Sequence, residues 1–376
     1  MAAIRRILGC FNFSSSRLIY SSAAFSGDRK DDFRRQVVPP RGLEYTGRRH
    51  PRRLIRVPVR ADGAAGEIRA SFVRRPGQVR RDRGHRGLGG LGGSRDADDP
   101  QGRRSGPNNR DEELGPNKPF KDLAWGLASR GIAVLRYDKR SKVHGARILA
   151  DPKLEATMTV KDETIDDALA AAALLKKTKK IDGKRIFILG HSQGGFLMPR
   201  IALAAEPLQV AGFISMAGLT RPLEDTILRQ MAYLHSLAGG AASDEDKKKL
   251  EDIKAAVARI KALTDADKGS TAKLLGAMPA YWLDLRGYDP PELAKSVKRP
   301  MLFLQGGLDY QVQTADLENW RAALGNRKDV EFHLYPKLNH LFYAGEGVLT
   351  PLEYVQKHGS VSDEVVTDIA DWILKR

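Results

Sequence analysis

The stretch KRIFILGHSQGG at residues 184–195 constrains the fold more than any other part of this 376-residue chain. Ile186, Phe187, Ile188 and Leu189 form a continuous apolar run, the pattern of a short strand buried on both faces of a parallel sheet. Gly190-His191-Ser192-Gln193-Gly194 follows without a spacer, then Gly195, and then apolar residues at helical spacing through Phe196, Leu197, Ile201 and Leu203. Strand, G-x-S-x-G and helix in immediate succession place the serine on a tight turn at the tip of the strand, the arrangement called a nucleophile elbow. Gly190 and Gly194 are expected to be positions where a Cβ would crowd that turn. The Gln193 N–H then falls at a helix N-terminus, where it can donate to negative charge developing beside the Ser192 hydroxyl. Taken alone, the pattern also fits an ordinary glycine-rich turn with a surface serine. The strand before it and the helix after it favour a nucleophile.

A serine hydroxyl is a poor nucleophile at its own pKa, so the chain should supply a base and an acid that orients it. Asp309 follows the apolar run 301–305 and a Gly-Gly pair. His340 lies in the loop 336–341, just past the next expected strand, 330–334. In a parallel sheet these loops emerge at one edge, so Ser192, Asp309 and His340 can converge there. Their roles would be nucleophile, orienting acid, and general base then acid. Among the other histidines, His191 is expected to support the elbow and His333 to pack within its strand. His144, His235 and His358 have no acid-loop context.

The remaining pattern alternates strand and helix. Helices are expected at 117–130, 162–177, 317–324 and 361–374, and buried strands at 132–137 and 210–217. Residues 221–295 break the alternation with a charged helix at 244–263 and the aromatic residues Tyr281, Trp282 and Tyr288. The insertion reads as a helical cap over the C-terminal edge of the sheet. Its charge run fits a solvated helix face, and its aromatics fit cap core better than substrate pocket.

Charge divides the chain in two. Residues 1–110 carry 25 Lys+Arg against 10 Asp+Glu, with Lys30 the one lysine, whereas residues 111–376 are close to neutral. The first 27 residues, with Arg5, Arg6, Arg17, many serines and no acid before Asp28, have transit-peptide composition; an untargeted flexible N-terminus fits as well. Weak strand candidates occupy 54–59 and 68–73. Residues 74–104, RRPGQVRRDRGHRGLGGLGGSRDADDPQGRR, are too poor in large aliphatics to offset their ordering entropy, which predicts disorder. An Arg-Gly-rich nucleic-acid segment is one reading, weakened by the lack of interleaved aromatics, and a solvated linker is another. A single cysteine, Cys10, allows no intrachain disulfide and no thiolate cluster for zinc. No apolar run approaches the roughly 18 residues that span a bilayer.

Four stretches carry a family resemblance: SGPNNRDEELGPNKPFKDLAWGLASRGIAVLRYDKR, RIFILGHSQGG, LFLQGGLDYQV and LYPKLNHLF. Over residues 105–376 the chain resembles the α/β-hydrolases of the dienelactone hydrolase and serine aminopeptidase-like type. The resemblance implies an ester, thioester or amide hydrolase with no metal or organic cofactor, and it names no substrate. A small-molecule acyl substrate and no nucleic-acid partner are expected. The resemblance implies a mostly parallel sheet with flanking helices and a helical cap; the preceding residues, about 100 of them, are expected from their composition to be poorly ordered. It also implies that Ser105 or Gly106 gives the second oxyanion N–H, beside that of Gln193. One departure stands out. Family members carry an aliphatic strand ending in His-Gly just before the Ser-Gly-Pro loop, and here that place holds DDPQGRR, residues 98–104. Part of residues 28–104 is therefore expected to come from a shifted reading frame or mis-joined exon, leaving the fold short of a core strand. The leading expectation is a serine hydrolase acting on carboxylic esters through an acyl-enzyme. The competing one is a catalytically impaired binding protein on the same fold. Salt-dependent nucleic-acid binding through the basic front is a third.

Overall fold

The computed structural model describes residues 54–61, 64–73, 110–238 and 242–376. Two sheets form its framework. Strands β1 (Leu54–Ala61), β2 (Ala64–Val73) and β3 (Val134–Tyr137) make an antiparallel sheet in that order, with Val73 opposite Val134 and Ala70 opposite Tyr137. Strands β4 (Phe187–His191), β5 (Gly212–Met216), β6 (Met301–Gly306) and β7 (Val330–Tyr335) make a parallel sheet, also in chain order. Every residue of β5 and β6 is buried. Their largely apolar sequences, broken only by the buried Ser215 and Gln305, suit strands covered by helices on both faces.

Helices fill the crossovers. Between β2 and β4 lie α1 (Pro119–Ser129), α2 (Arg140–Ala150), α3 (Pro152–Thr157), a π-helical turn at Lys161–Ile165, and α4 (Asp166–Lys177). The short α5 (Gln193–Phe196) and α6 (Met198–Ala204) link β4 to β5. The insertion between β5 and β6 holds α7 (Leu223–Ala238), α8 (Asp244–Ala262), α9 (Pro279–Leu285) and α10 (Pro290–Ala294). Then come α11 (Thr314–Leu324) before β7, and α12 (Leu352–Gln356) and α13 (Asp363–Leu374) after it. Helix α8 shows why its charges are tolerated. Ser243 and Asp246 close a capping box, lysines pair with acids three or four residues away in solvent, and Ile253, Val257 and Ile260 form its buried stripe. None of the described helices is long and apolar enough to cross a membrane.

Packing on the parallel sheet is dense. The Trp320 ring of α11 lies 4.7 Å from that of Phe303 in β6, and its indole N–H donates to the Gly218 carbonyl at 2.8 Å. Trp372 of α13 meets Phe187 of β4 edge-on at 5.7 Å. At the other sheet, Arg140 holds the wholly buried Asp167 of α4 through its Nε at 3.0 Å and its Nη2 at 2.7 Å. Burial raises the Asp167 pKa, and the Arg140 guanidinium opposes that rise.

The two sheets do not pair with each other. Among the described residues, no strand bonds to the second edge of β3 or of β4. Both strands are half-buried throughout, unlike the fully buried β5 and β6. Helix α4 packs against both of them. Just past the two strand ends, Lys139 Nζ reaches the Gln193 side-chain oxygen at 3.3 Å, so β3 and β4 end on the same side of the molecule.

The expected elements recur with shifts of up to four residues. Strand β4 runs on through Gly190 and His191, two residues past its apolar run. The 162–177 helix begins as a π turn. The strand candidates 54–59 and 68–73 are extended at one end each, so part of the basic front has regular backbone. Helices α2 and α3 were not anticipated; no residue of α2 is fully buried, so its apolar pattern is faint. The transit-like segment 1–27, the stretch 74–104, and Ser105 and Gly106 lie outside the described residues.

Candidate active site

The site lies where β4, β6 and β7 end. Ser192 follows β4 directly and has φ 54° and ψ −113°, a strained conformation for a residue with a side chain. The backbone accounts for one of the two expected glycines. A Cβ on Gly190 would lie 2.4 Å from the Gly194 carbonyl carbon and oxygen. A Cβ on Gly194 would meet nothing within 4 Å. The second crowded position is Gly195, whose Cβ would come within 2.8 Å of the Gly218 Cα and the Ser215 Oγ, because α5 starts hard against the end of β5. The expectation for Gly194 is therefore corrected to Gly195.

Asp309 and His340 meet. The His340 Nδ1 lies 2.7 Å from the Asp309 Oδ2, with both residues buried. Asp309 is held on several sides. Its Oδ1 accepts from the Gln311 and Val312 N–H groups at 2.8 and 2.9 Å, and its Oδ2 accepts from the Gln305 side-chain amide at 3.1 Å. A carboxylate accepts only, so the proton between the pair sits on Nδ1, and the His340 Nε2 carries the lone pair. The loop after β7 is equally fixed. Asn339 Oδ1 accepts from the N–H groups of Leu341 and Tyr343 at 3.0 and 3.2 Å, and Phe342 adopts φ 60°.

Ser192 joins this pair through its neighbour. The His191 Nε2 donates to the His340 carbonyl at 2.8 Å, and the two imidazole rings lie 4.6 Å apart. Phe120 and Phe342 close on the His191 ring edgewise. Burial, with the adjacent His340 ring, pushes the His191 pKa down to about 3, so it works as a neutral donor. Among the described residues, the Ser192 hydroxyl makes no hydrogen bond to His340; such contacts often tighten only when substrate binds. Gln193, the first residue of α5, is buried, and its N–H is one of those that no helix carbonyl can accept.

Other residues of the site escaped the sequence reading. From α7, Arg229 donates to the carbonyls of Tyr310 and Gln311, the first at 3.3 Å, and the Gln230 amide donates to the Gln311 carbonyl at 2.8 Å. The insertion thus grips the Asp309 loop from above. Tyr233 of α7, Tyr310 and Tyr354 of α12 stack in a row beside it, at 5.4 and 6.2 Å. Tyr281 of α9 hydrogen-bonds the Gln193 side chain, and the Tyr288 hydroxyl donates to the Phe196 carbonyl at 2.7 Å. Tyr281 and Trp282 are buried, in line with cap core, yet Tyr281 also reaches the elbow. Only Gln305 left a usable signal, as the one polar side chain in an apolar strand. His333, half-exposed, bonds Asp368 of α13 at 3.2 Å and stands apart from the site.

A parallel sheet with helices on its faces, a serine on a strained strand-to-helix turn and a buried Asp–His pair beside it define an α/β-hydrolase. The chain belongs to that class, in the family described as serine aminopeptidase, S33, which it matches over residues 118–346. It is 42% identical over 271 residues to Esterase EstD of Thermotoga maritima, an alignment covering 72% of this chain and 60% of that protein. The chain thus spans three fifths of the length of this curated relative. Two solved structures are also similar. The Pyrococcus furiosus esterase Pf2001 has a TM-score of 0.47 at 12% identity, with 86% of this chain and 91% of that one covered. The α/β-hydrolase GrgF from Penicillium sp. sh18 has 0.48 at 13%, covering 87% and 99%.

Proposed function

We propose that the chain is a serine hydrolase of small carboxylic esters. Ser192 Oγ attacks the acyl carbonyl while the His340 Nε2 takes its proton. Asp309 keeps the ring in the tautomer that leaves Nε2 basic and stabilises the imidazolium that forms. The Gln193 N–H, with a second donor from Ser105 or Gly106, faces the oxyanion of the tetrahedral intermediate. His340 then returns its proton to the leaving alcohol, and an acyl-Ser192 ester remains. Water, activated by the same histidine, releases the acid. The observation that carries this reading is the buried 2.7 Å Asp309–His340 contact beside a Ser192 held at positive φ. The likeness to an esterase favours an ester over a peptide.

Hydrolysis of p-nitrophenyl acetate and butyrate by the purified chain tests the reading. Turnover that disappears in Ser192→Ala is expected. Folded protein without turnover, or turnover unaffected by Ser192→Ala, overturns it.

A second reading rests on one observation: among the described residues, no strand bonds to the second edge of β4. An aliphatic strand before Ser105, which the sequence lacks there, is the element that would pair with it. On this reading the chain keeps the fold and the acid–base pair but lacks a positioned oxyanion donor, at a cost of about 3–4 kcal/mol in the transition state. Replacing residues 98–104 by an aliphatic strand ending in His-Gly separates the two. Ser192-dependent turnover gained only in the replaced chain supports the second reading. Turnover already present in the original chain removes it.

A further inference from the structure

A line of polar side chains crosses from the end of β3, through the elbow and the cap, to the π turn. Lys139 Nζ donates to the Gln193 Oε1 at 3.3 Å. The Gln193 Nε2 donates to the Tyr281 hydroxyl. That hydroxyl donates to the Glu163 Oε2 over a longer 3.4 Å, and Ser141 Oγ donates to the other carboxylate oxygen at 3.0 Å. Glu163 is 0% exposed and Gln193 5%. Glu163 sits in the π turn, an insertion that shifts helix side chains out of register and recurs where a particular side chain must be aimed.

The two ends of the line decide its direction. An ammonium can only donate and a carboxylate can only accept. Between them, each hydrogen must point from Lys139 toward Glu163. The Gln193 amide therefore has one satisfactory orientation, oxygen to Lys139 and nitrogen to Tyr281. The reverse sets its NH2 against the ammonium and leaves its oxygen facing a hydroxyl already committed to a carboxylate. Gln193 is also the first residue of α5, and its backbone N–H is the oxyanion donor in the reading above. A side chain held at both polar ends fixes the torsions of the residue that carries that N–H.

We propose that Tyr281 and Glu163 are positioning residues for the oxyanion hole. Through the Gln193 side chain they hold the Gln193 N–H in place, so that a seated cap is a condition for full transition-state stabilisation. The inference rests on the serine-hydrolase reading. It adds that the insertion contributes to the chemical step and does more than cover the site. The hydroxyl of Tyr281, on α9, is the link between them.

The test is a cycle of Tyr281→Phe, Glu163→Gln and the double variant in the full chain. Tyr281→Phe keeps the ring and its edge contact with Trp282, 5.9 Å between centroids. On p-nitrophenyl butyrate each single variant should lose about tenfold in kcat with KM changed by less than about twofold, since the lost contact acts on the transition state. The double variant should lose no more than either single one, because both break the same line. Multiplicative losses, a change confined to KM, or unchanged kcat overturn the proposal. Denaturant unfolding of the same four proteins reads the coupling without turnover. Additive stabilities there also overturn it. An original chain with no Ser192-dependent turnover refutes the serine-hydrolase reading instead, and coupled stabilities in that case still locate the line.

Discussion

Acid should weaken this fold through His191, by an amount that can be worked out. Burial and the neighbouring His340 ring hold its pKa near 3, against 6.5 for an ordinary histidine. The native state therefore keeps His191 neutral at pH values where the unfolded chain protonates it. A depressed native pKa means that its stabilising effect is complete above about pH 6.5 and declines as the pH falls from there toward 3. Each unit is about 1.4 kcal/mol, so near pH 5 the loss is about 2 kcal/mol. Part of the residue meets solvent, which makes this an upper figure. His191→Gln keeps a donor for the His340 carbonyl but does not titrate. Urea unfolding of both proteins at about pH 7.5, 6 and 5 isolates the effect from the carboxylates they share. The wild-type advantage over the variant should shrink by up to about 2 kcal/mol between the extremes. A difference that stays constant across that range refutes the reasoning, because His191 would then titrate alike in both states.

Other consequences follow from single contacts. Asp309→Asn should leave the fold intact and lower kcat on p-nitrophenyl butyrate by about 10⁴-fold, since an amide can present its NH2 to Nδ1 and hold the wrong tautomer. Asp167→Ala leaves the largely buried Arg140 guanidinium without its buried carboxylate and should cost about 3–5 kcal/mol in denaturant unfolding. Ile214→Ala, in the middle of the buried β5, should cost about 2–5 kcal/mol by the same assay. Arg229→Met removes two of the hydrogen bonds from α7 to the Asp309 loop, leaving that of Gln230, and should lower kcat with a smaller loss of stability.

How much of this was legible in the sequence depended on whether a constraint is local. The elbow was, because strand, turn and helix are contiguous and the strain at Ser192 needs a glycine at 190. The Asp–His pair was, because each residue sits just past an apolar strand and chain order stands in for spatial order. Gly195 was misjudged in favour of Gly194 because the crowding arises from β5, 20 residues further along the chain, rather than from the turn itself. The line from Lys139 to Glu163 was invisible for the same reason. Its members come from four separate segments, and although the elbow motif marks Gln193 for its backbone N–H, nothing in the sequence joins its side chain to Lys139, Tyr281 or Glu163. Arg229 and Gln230 looked like ordinary polar residues of an amphipathic helix, and only the seating of α7 over the Asp309 loop gives them a task. The stretch before Ser105 offers no aliphatic run to supply a strand, and it lies outside the described residues, among which none pairs with the second edge of β4.

Covalent labelling reads the central claim most directly. The purified chain would be treated with a fluorophosphonate, digested, and mapped by mass spectrometry. A phosphonyl adduct on Ser192, abolished in Ser192→Ala and strongly slowed in His340→Ala, is the predicted result. Folded protein that remains unlabelled, or an adduct on another serine, would contradict the account.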